Sequence, residues 1–308
     1  LKGDLHVVRP SAHRRIAALR KEKNAVILAH NYQPGIIQDI ADLTGDSLEL
    51  SRKARETDAD VIVFCGVHFM AETAAILNPD KVVVLPNASA GCAMADMITA
   101  RDVRRIREEY PGVPIVTYVN STAEVKAEST VCCTSANVNR VVASFKDETA
   151  LYLIPDQNLA LYASRHTDKT IHYWKGYCPI HHRLTAETVR QARNAHPDAL
   201  FVAHPECRPE VLDLADMVTS TSGMLRFATE SPHRAFLIGT ETGILHPLRR
   251  DNPDKVFYPV STEMVCPDMK KTTLADIVRS LETLAPRVHV PEEIRVRALR
   301  AVERMLQI

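Results

Sequence analysis

The sequence carries no surplus of either charge. Lys+Arg and Asp+Glu each number 38 in 308 residues, so the formal charge is zero. Nucleic-acid binding needs clustered cations to neutralise phosphates, and this balance argues against it. No apolar run approaches the roughly 18 residues of a membrane span. The N-terminal stretch LKGDLHVVRPSAHRRIAALRKEKN is polar, with no signal-peptide apolar region. The expectation is a soluble cytoplasmic protein with no nucleic-acid or membrane partner. The seven cysteines form no CxxC, no zinc-finger spacing and no ferredoxin CxxCxxC run. An odd number in a long chain argues against a disulfide scaffold and fits a reducing compartment. GxxxxGK[ST] is absent, as is GxGxxG after the first strand, so nucleotide binding has no support.

What is present is a repeat. The length suggests two or three domains. Short apolar runs recur at 25–30, 61–66, 81–86, 113–119, 150–155, 170–174, 199–204, 235–240 and 255–260. Such runs, apolar throughout, are expected of buried parallel strands. Helical patterns lie between them, among them 46–57, 137–147 and 208–216. The alternation predicts an α/β fold.

The runs fall into three matched groups, each ending in a cysteine: KVVVLPNASAGC at Cys92, TIHYWKGYC at Cys178 and KVFYPVSTEMVC at Cys266. These cysteines stand 86 and 88 residues apart. A hydroxyl-rich turn keeps the same phase, with Ser47, Ser135 and Ser222 separated by 88 and 87 residues. The expected architecture is three similar three-layer αβα domains with parallel sheets around a pseudo-threefold axis. Their boundaries are read as 1–95 with 267–308, 96–180 and 181–266. Open α/β sheets bind ligands at strand carboxyl ends, so three such edges facing inward would form one central site.

Three readings of the matched cysteines stand side by side. Three thiolates could hold a 4Fe–4S cluster with one open iron acting as a Lewis acid. The same thiolates could hold zinc, or the cysteines could be buried and never meet. Cys65 reads as packing, and Cys207 as a buried residue near the site. Cys132 and Cys133, adjacent on a strand, point to opposite faces. Strand-end groups at i and i+2 share a face of an extended segment, which pairs His30 with Tyr32, Tyr118 with Asn120, and His204 with Glu206. Such groups suit proton abstraction and dehydration. Ser47, Thr134, Ser135, Ser220, Thr221 and Ser222 read as helix N-caps that could also hold anions. His181 and His182 read as exposed residues of a domain junction, followed by a helix capped by Thr185.

The motifs AHNYQ, GDSLELSRKA, VIVFCGVHFMAETAAIL, AGCAMADM, YVNSTAEVKAES, CCTSAN, HPEC, STSGM, GTETGI and CPDMKKTTL, in this order over about residues 29–274, together resemble the quinolinate synthase family. The resemblance implies three αβα domains about a pseudo-threefold axis. It implies condensation of iminoaspartate with dihydroxyacetone phosphate to quinolinate, with loss of phosphate and water, in NAD biosynthesis. It further implies a 4Fe–4S cluster on Cys92, Cys178 and Cys266 whose free iron meets substrate, and possible transient contact with the enzyme supplying iminoaspartate. By the same carry-over His30, Tyr118, Asn120 and His204 line the substrate pocket. Ser47, Ser135, Ser220 and Thr221 hold carboxylates or phosphate. Tyr32 and Glu206, with His30 and His204, are assigned to the acid–base steps. Two departures stand out. Pro247 occupies a position in GILHPLRR where a basic residue is expected, and the chain starts at Leu1 rather than methionine, as a trimmed N-terminus would.

Overall fold

The computed structural model describes residues 5–308, with side chains from residue 12 onward. Residues 1–4, on which the reading of a trimmed N-terminus rests, lie outside the described residues. The chain forms two compact units, Leu1–Cys92 with Pro267–Pro291, and Ala93–Cys266 with Glu292–Ile308.

The smaller unit holds one sheet: β1 (Ala25–His30), β2 (Leu43–Gly45), β3 (Val61–Cys65) and β4 (Val82–Val84). All pairs are parallel and the order is β2-β1-β3-β4. Every residue of β3 is buried, as a sheet covered on both faces requires. Ile27, Ala29, Val63 and Cys65 pack with Ile16 and Leu19 of helix Leu5–Glu22 and with Ile277 and Leu281 of helix Leu274–Thr283. Cys65 is thus a core residue, as its place in an apolar strand suggested.

The larger unit holds two more sheets. One comprises β5 (Ile115–Tyr118), β6 (Val131–Cys133), β7 (Ala150–Ile154) and β8 (Thr170–Tyr173), in the order β6-β5-β7-β8. The other comprises β9 (Leu200–Ala203), β10 (Met217–Val218), β11 (Ala235–Gly239) and β12 (Val256–Pro259), in the order β10-β9-β11-β12. Both are wholly parallel. The fold is therefore α/β, with one strand order used three times. In that order the first strand steps outward to the second and the third returns to its other side. The chain reverses direction between the first and third strands, and the crevice at their carboxyl ends is where such sheets receive ligands.

All nine expected strands form. The one strand of each sheet not expected, β2, β6 or β10, is an edge strand of two or three residues, too short to show as an apolar run. Residues 267–291 pack with the smaller unit, whereas helix Glu292–Gln307 packs on helix Ala123–Ala127 and on β6. Its inward face is Ala298, Ala301, Val302 and Met305, and the two alanines let the backbones approach. The buried Glu128 faces this helix, bonded by Arg297 and, at 2.9 Å, by Arg104.

Two local readings need correction. The helix expected over 208–216 is a single turn, Pro209–Leu212; Leu214 and Ala215 continue it only as turns before β10. The hydroxyl turns also do not all cap. Asp46 caps helix Ser47–Glu56, accepting from Leu48 and Glu49 N–H at 3.0 Å while Glu49 bonds back to its N–H. This reciprocal capping box makes Ser47 the first helical residue. Thr134 accepts from Ala136 N–H in a tight turn, and helix Val138–Ser144 starts after Asn137. Ser220 does cap helix Thr221–Glu230, and Thr185 caps helix Ala186–Ala195. Pro247 lies buried in the first turn of helix Leu245–Asp251 rather than in a loop, a position where its missing N–H costs nothing.

Candidate active site

The strand ends carry the polar groups as the repeat implied, but through turns rather than extended segments. After β1 the Gln33 N–H bonds the His30 carbonyl, and the Tyr32 N–H donates to His30 Nδ1 at 3.1 Å. After β9 the Cys207 N–H bonds the His204 carbonyl, and the Glu206 N–H donates to His204 Nδ1 at 3.3 Å. The same device pins both histidines. With Nδ1 accepting, the neutral ring carries its proton on Nε2. His30 and Tyr32 meet edge to face at 4.6 Å between ring centroids.

In the larger unit Glu206 is the hub. Its Oε1 accepts from the Tyr118 hydroxyl at 2.6 Å, and its Oε2 lies 2.7 Å from His181 Nδ1. His181 Nε2 in turn bonds Thr240 Oγ1 at 2.7 Å. His204 Nε2 meets Ser135 Oγ at 3.2 Å, and its ring stacks on His181 with centroids 4.8 Å apart. Glu206, His181 and His204 are all buried. Burial works against the Glu206 charge, but His181, His204 and the Tyr118 hydroxyl outweigh it and hold the carboxyl below its usual range. Burial pushes His204 down to about 3, against the pull of Glu206. His204 is therefore neutral, and its 3.9 Å approach to Oε2 is not an ion pair, since Nδ1 is already an acceptor.

Nearby, the buried Asp156 follows β7. Its Oδ1 accepts from the Asn158 N–H at 2.8 Å. Burial, with the charge of Glu206, pushes its carboxyl well above the usual range. Asn158 Nδ2 donates to the Glu206 carbonyl at 2.9 Å, fixing the turn that carries the hub. Asn120, after β5, buries an Oδ1 with no bond to the described residues. Ser220 and Thr221 are buried at the start of their helix.

His181 corrects the expectation that both junction histidines are exposed. It is 1% exposed and bonded to the hub. Its signal was its place three residues after Cys178, which puts both on one face of the turn Pro179–His182. His182 stays outside, half-buried, stacked on Tyr177 at 4.2 Å and bonded to Asn158. Asp156, Asn158 and Thr240 were not singled out in the sequence.

The seven cysteines separate by exposure. Cys65, Cys132, Cys133 and Cys207 are buried, and burial raises each thiol, Cys132 to about 12. A raised thiol resists becoming the thiolate a metal needs. Cys92, Cys178 and Cys266 are the three that reach solvent. Each lies in the loop after the fourth strand of its sheet. Glu241 accepts from the Cys266 N–H at 3.1 Å and from the Gly243 N–H at 2.7 Å, joining that loop to the end of β11. In the smaller unit Asp268 accepts from the Gly91 N–H at 3.2 Å and from Lys271 Nζ at 2.6 Å, bracing the Cys92 loop. The donor set of three accessible thiols fits an iron–sulfur cluster better than the four buried ones do. Among the described residues no helix is long and apolar enough to cross a membrane.

One α/β sheet used three times, with acid, hydroxyl and imidazole groups joined at the strand ends of the larger unit, has the make-up of an α/β enzyme. The family model described as "Quinolinate synthetase A protein" matches residues 14–307, and the chain belongs to that family. It is similar to the quinolinate synthase of Thermodesulfovibrio yellowstonii, with 55% identity over 294 residues, 95% of this chain and 97% of that one. The quinolinate synthase of Geotalea uraniireducens is 55% identical over 293 residues, 95% of this chain and 96% of that one. That of Methanoregula boonei is 54% identical over 293 residues, 95% of this chain and 97% of that one.

Proposed function

We propose that this chain makes quinolinate for NAD biosynthesis, condensing iminoaspartate with dihydroxyacetone phosphate and releasing phosphate and two waters, in the cytoplasm. The observation that carries the cofactor reading is the cysteine partition: the three repeat-matched thiols are the three that reach solvent. Cys92, Cys178 and Cys266 would hold a 4Fe–4S cluster. When bound, the cluster would supply a Lewis-acidic iron to a substrate hydroxyl or carboxylate. The three sheets are read as centres of three domains about a pseudo-threefold axis, divided near residues 95, 180 and 266, with transient delivery of iminoaspartate by the enzyme that makes it.

The acid–base work falls to this chain's own residues. Glu206, ionised and held between Tyr118 and His181, takes a proton from a substrate carbon or nitrogen. Tyr118 fixes Oε1 and His181 holds Oε2, so the carboxylate is positioned by both before the proton arrives. Neutral His204 presents Nε2–H beside Ser135, where it donates to a substrate oxygen. His30 offers the same Nε2–H in the smaller unit, and Tyr32 is assigned a proton transfer there. Ser47, Ser220, Thr221 and Asn120 are read as contacts for carboxylate or phosphate.

The test is anaerobic reconstitution with iron and sulfide, followed by metal analysis and a quinolinate assay. The expected result is about four irons per chain and broad absorbance near roughly 400 nm. Alanine at Cys92, Cys178 or Cys266 should remove colour and product formation, and Cys207→Ala should remove neither. A metal-free chain that stays colourless and takes up no iron on reconstitution would overturn the cluster reading.

A further inference from the structure

The clip formed by Cys178, His181 and Glu206 is a metal-ligand set in its own right. His181 Nδ1 lies 3.3 Å from Cys178 Sγ and 2.7 Å from Glu206 Oε2. The three donor atoms all fall within 4.8 Å of one another. Zinc takes sulfur at about 2.3 Å, imidazole at about 2.0–2.1 Å and carboxylate at about 2.0–2.2 Å, so tetrahedral ligand edges run near 3.4–3.6 Å. The two edges at His181 are shorter than that range and the third is no more than 4.8 Å, so an ion would enter by parting hydrogen-bonded donors slightly rather than by gathering distant ones. Thiolate, imidazole and carboxylate together suit a borderline-soft divalent ion rather than calcium or magnesium.

The surroundings are those of a built site. Ligating histidines and carboxylates are held by partners on their far atoms. Here Thr240 Oγ1 bonds His181 Nε2 at 2.7 Å, leaving Nδ1 aimed inward. The Tyr118 hydroxyl holds Glu206 Oε1 at 2.6 Å, leaving Oε2 beside Nδ1. His181 and Glu206 are buried while Cys178 is half-buried, so the ion enters past the sulfur. Helix Pro179–His182 starts at Cys178, and its first hydrogen bond runs from the His182 N–H to the Cys178 carbonyl at 2.9 Å. That turn sets thiol and imidazole on one side.

We infer that Cys178, His181 and Glu206 form a mononuclear site for a zinc-like divalent cation, one that shares Cys178 with the three-cysteine site and is exclusive with it. Binding sends the proton of the Cys178 thiol to water and moves the His181 ring proton from Nδ1 to Nε2, where Thr240 Oγ1 accepts it, and forms one sulfur, one nitrogen and one oxygen bond, with water as fourth ligand. No redox change is involved. Because Sγ of Cys178 belongs to both sites, an ion in the clip blocks cluster assembly. It also takes Oε2 of Glu206 out of acid–base service.

The experiment uses the full chain carrying both Cys92→Ser and Cys266→Ser, purified metal-free without oxygen and titrated with Co(II). The expected result is one equivalent bound, with a near-ultraviolet thiolate-to-cobalt charge-transfer band and visible bands of tetrahedral cobalt, both removed by one equivalent of Zn(II). Adding Cys178→Ser should abolish the charge-transfer band. Adding His181→Ala or the shape-conserving Glu206→Gln should weaken binding by at least about tenfold, with circular dichroism unchanged. If the double-serine chain shows no such band while the unaltered chain does, the ion belongs to the three cysteines and the inference is overturned. Cobalt binding indifferent to His181→Ala and Glu206→Gln overturns it equally. Neither substrate nor cluster enters this test, so its outcome is independent of the quinolinate reading.

Discussion

At the scale of the residue, Glu206 has the environment of a base and Tyr118 that of its holder. A buried carboxylate kept ionised by an imidazole and a phenol is a strong hydrogen-bond acceptor with few competing partners. Glu206→Gln keeps the shape and removes the charge. Its kcat in quinolinate formation should fall by about 10²–10⁴-fold, with cluster content unchanged. Tyr118→Phe should cost less, since the carboxylate loses one bond but keeps its charge. A Glu206→Gln enzyme turning over at the unaltered rate would remove this residue from the proton transfers. The place of Glu206 in HPEC was legible because a histidine and a carboxylate two apart at a strand end stand out in the sequence. Its contact with His181 was not legible, because the turn Pro179–His182 and the loop after β9 meet only in the folded unit.

At the scale of the element, the C-terminal helix is tied to the larger unit by a charge cluster as well as by its alanine face. Burial would raise the Glu128 carboxyl, but Arg297 and Arg104 outweigh it and the net shift is downward. The folded value thus lies below the ordinary 4.5. Between the two values the unfolded chain binds the proton and the folded chain does not, so stability rises with pH there. The contribution is fully present above the unfolded value and is lost as pH falls through the folded one. The arginines are half-exposed and screened, so Glu128→Gln should cost only about 1 kcal/mol at neutral pH. It should also flatten the acid limb of stability below about pH 4.5. Urea unfolding of both chains across that range measures this, and parallel acid limbs would show that the cluster contributes nothing. The anchoring of this helix escaped the sequence reading, which carried residues 267–308 together with the first domain. Its apolar face has the right period, yet nothing in that pattern names the surface it will meet.

At the scale of the whole molecule, one strand order repeated three times explains what could be read in advance. Buried parallel strands need apolar residues on both faces, so nine of them show as unbroken runs. The edge strands β2, β6 and β10 need only two or three backbone bonds and leave no such trace. Phase between repeats located the three cysteines and the hydroxyl turns without any contact being known. Caps were read less well. Asp46, one residue before the expected Ser47, took the cap because its carboxylate reaches two N–H groups.

The cysteine partition makes the folded chain selective toward oxidants. Oxidation follows thiolate character and access, so air or peroxide should modify Cys92, Cys178 and Cys266 and spare the four thiols inside the sheets and turns. Brief alkylation of the native, cluster-free protein, followed by mass spectrometry, should mark those three and leave Cys65, Cys132, Cys133 and Cys207 until denaturant is added. Equal labelling of all seven would contradict it. Damage confined in this way leaves the packed interior intact. Activity lost in air should then return on chemical reduction and resupply of iron and sulfide, without any need to refold the protein.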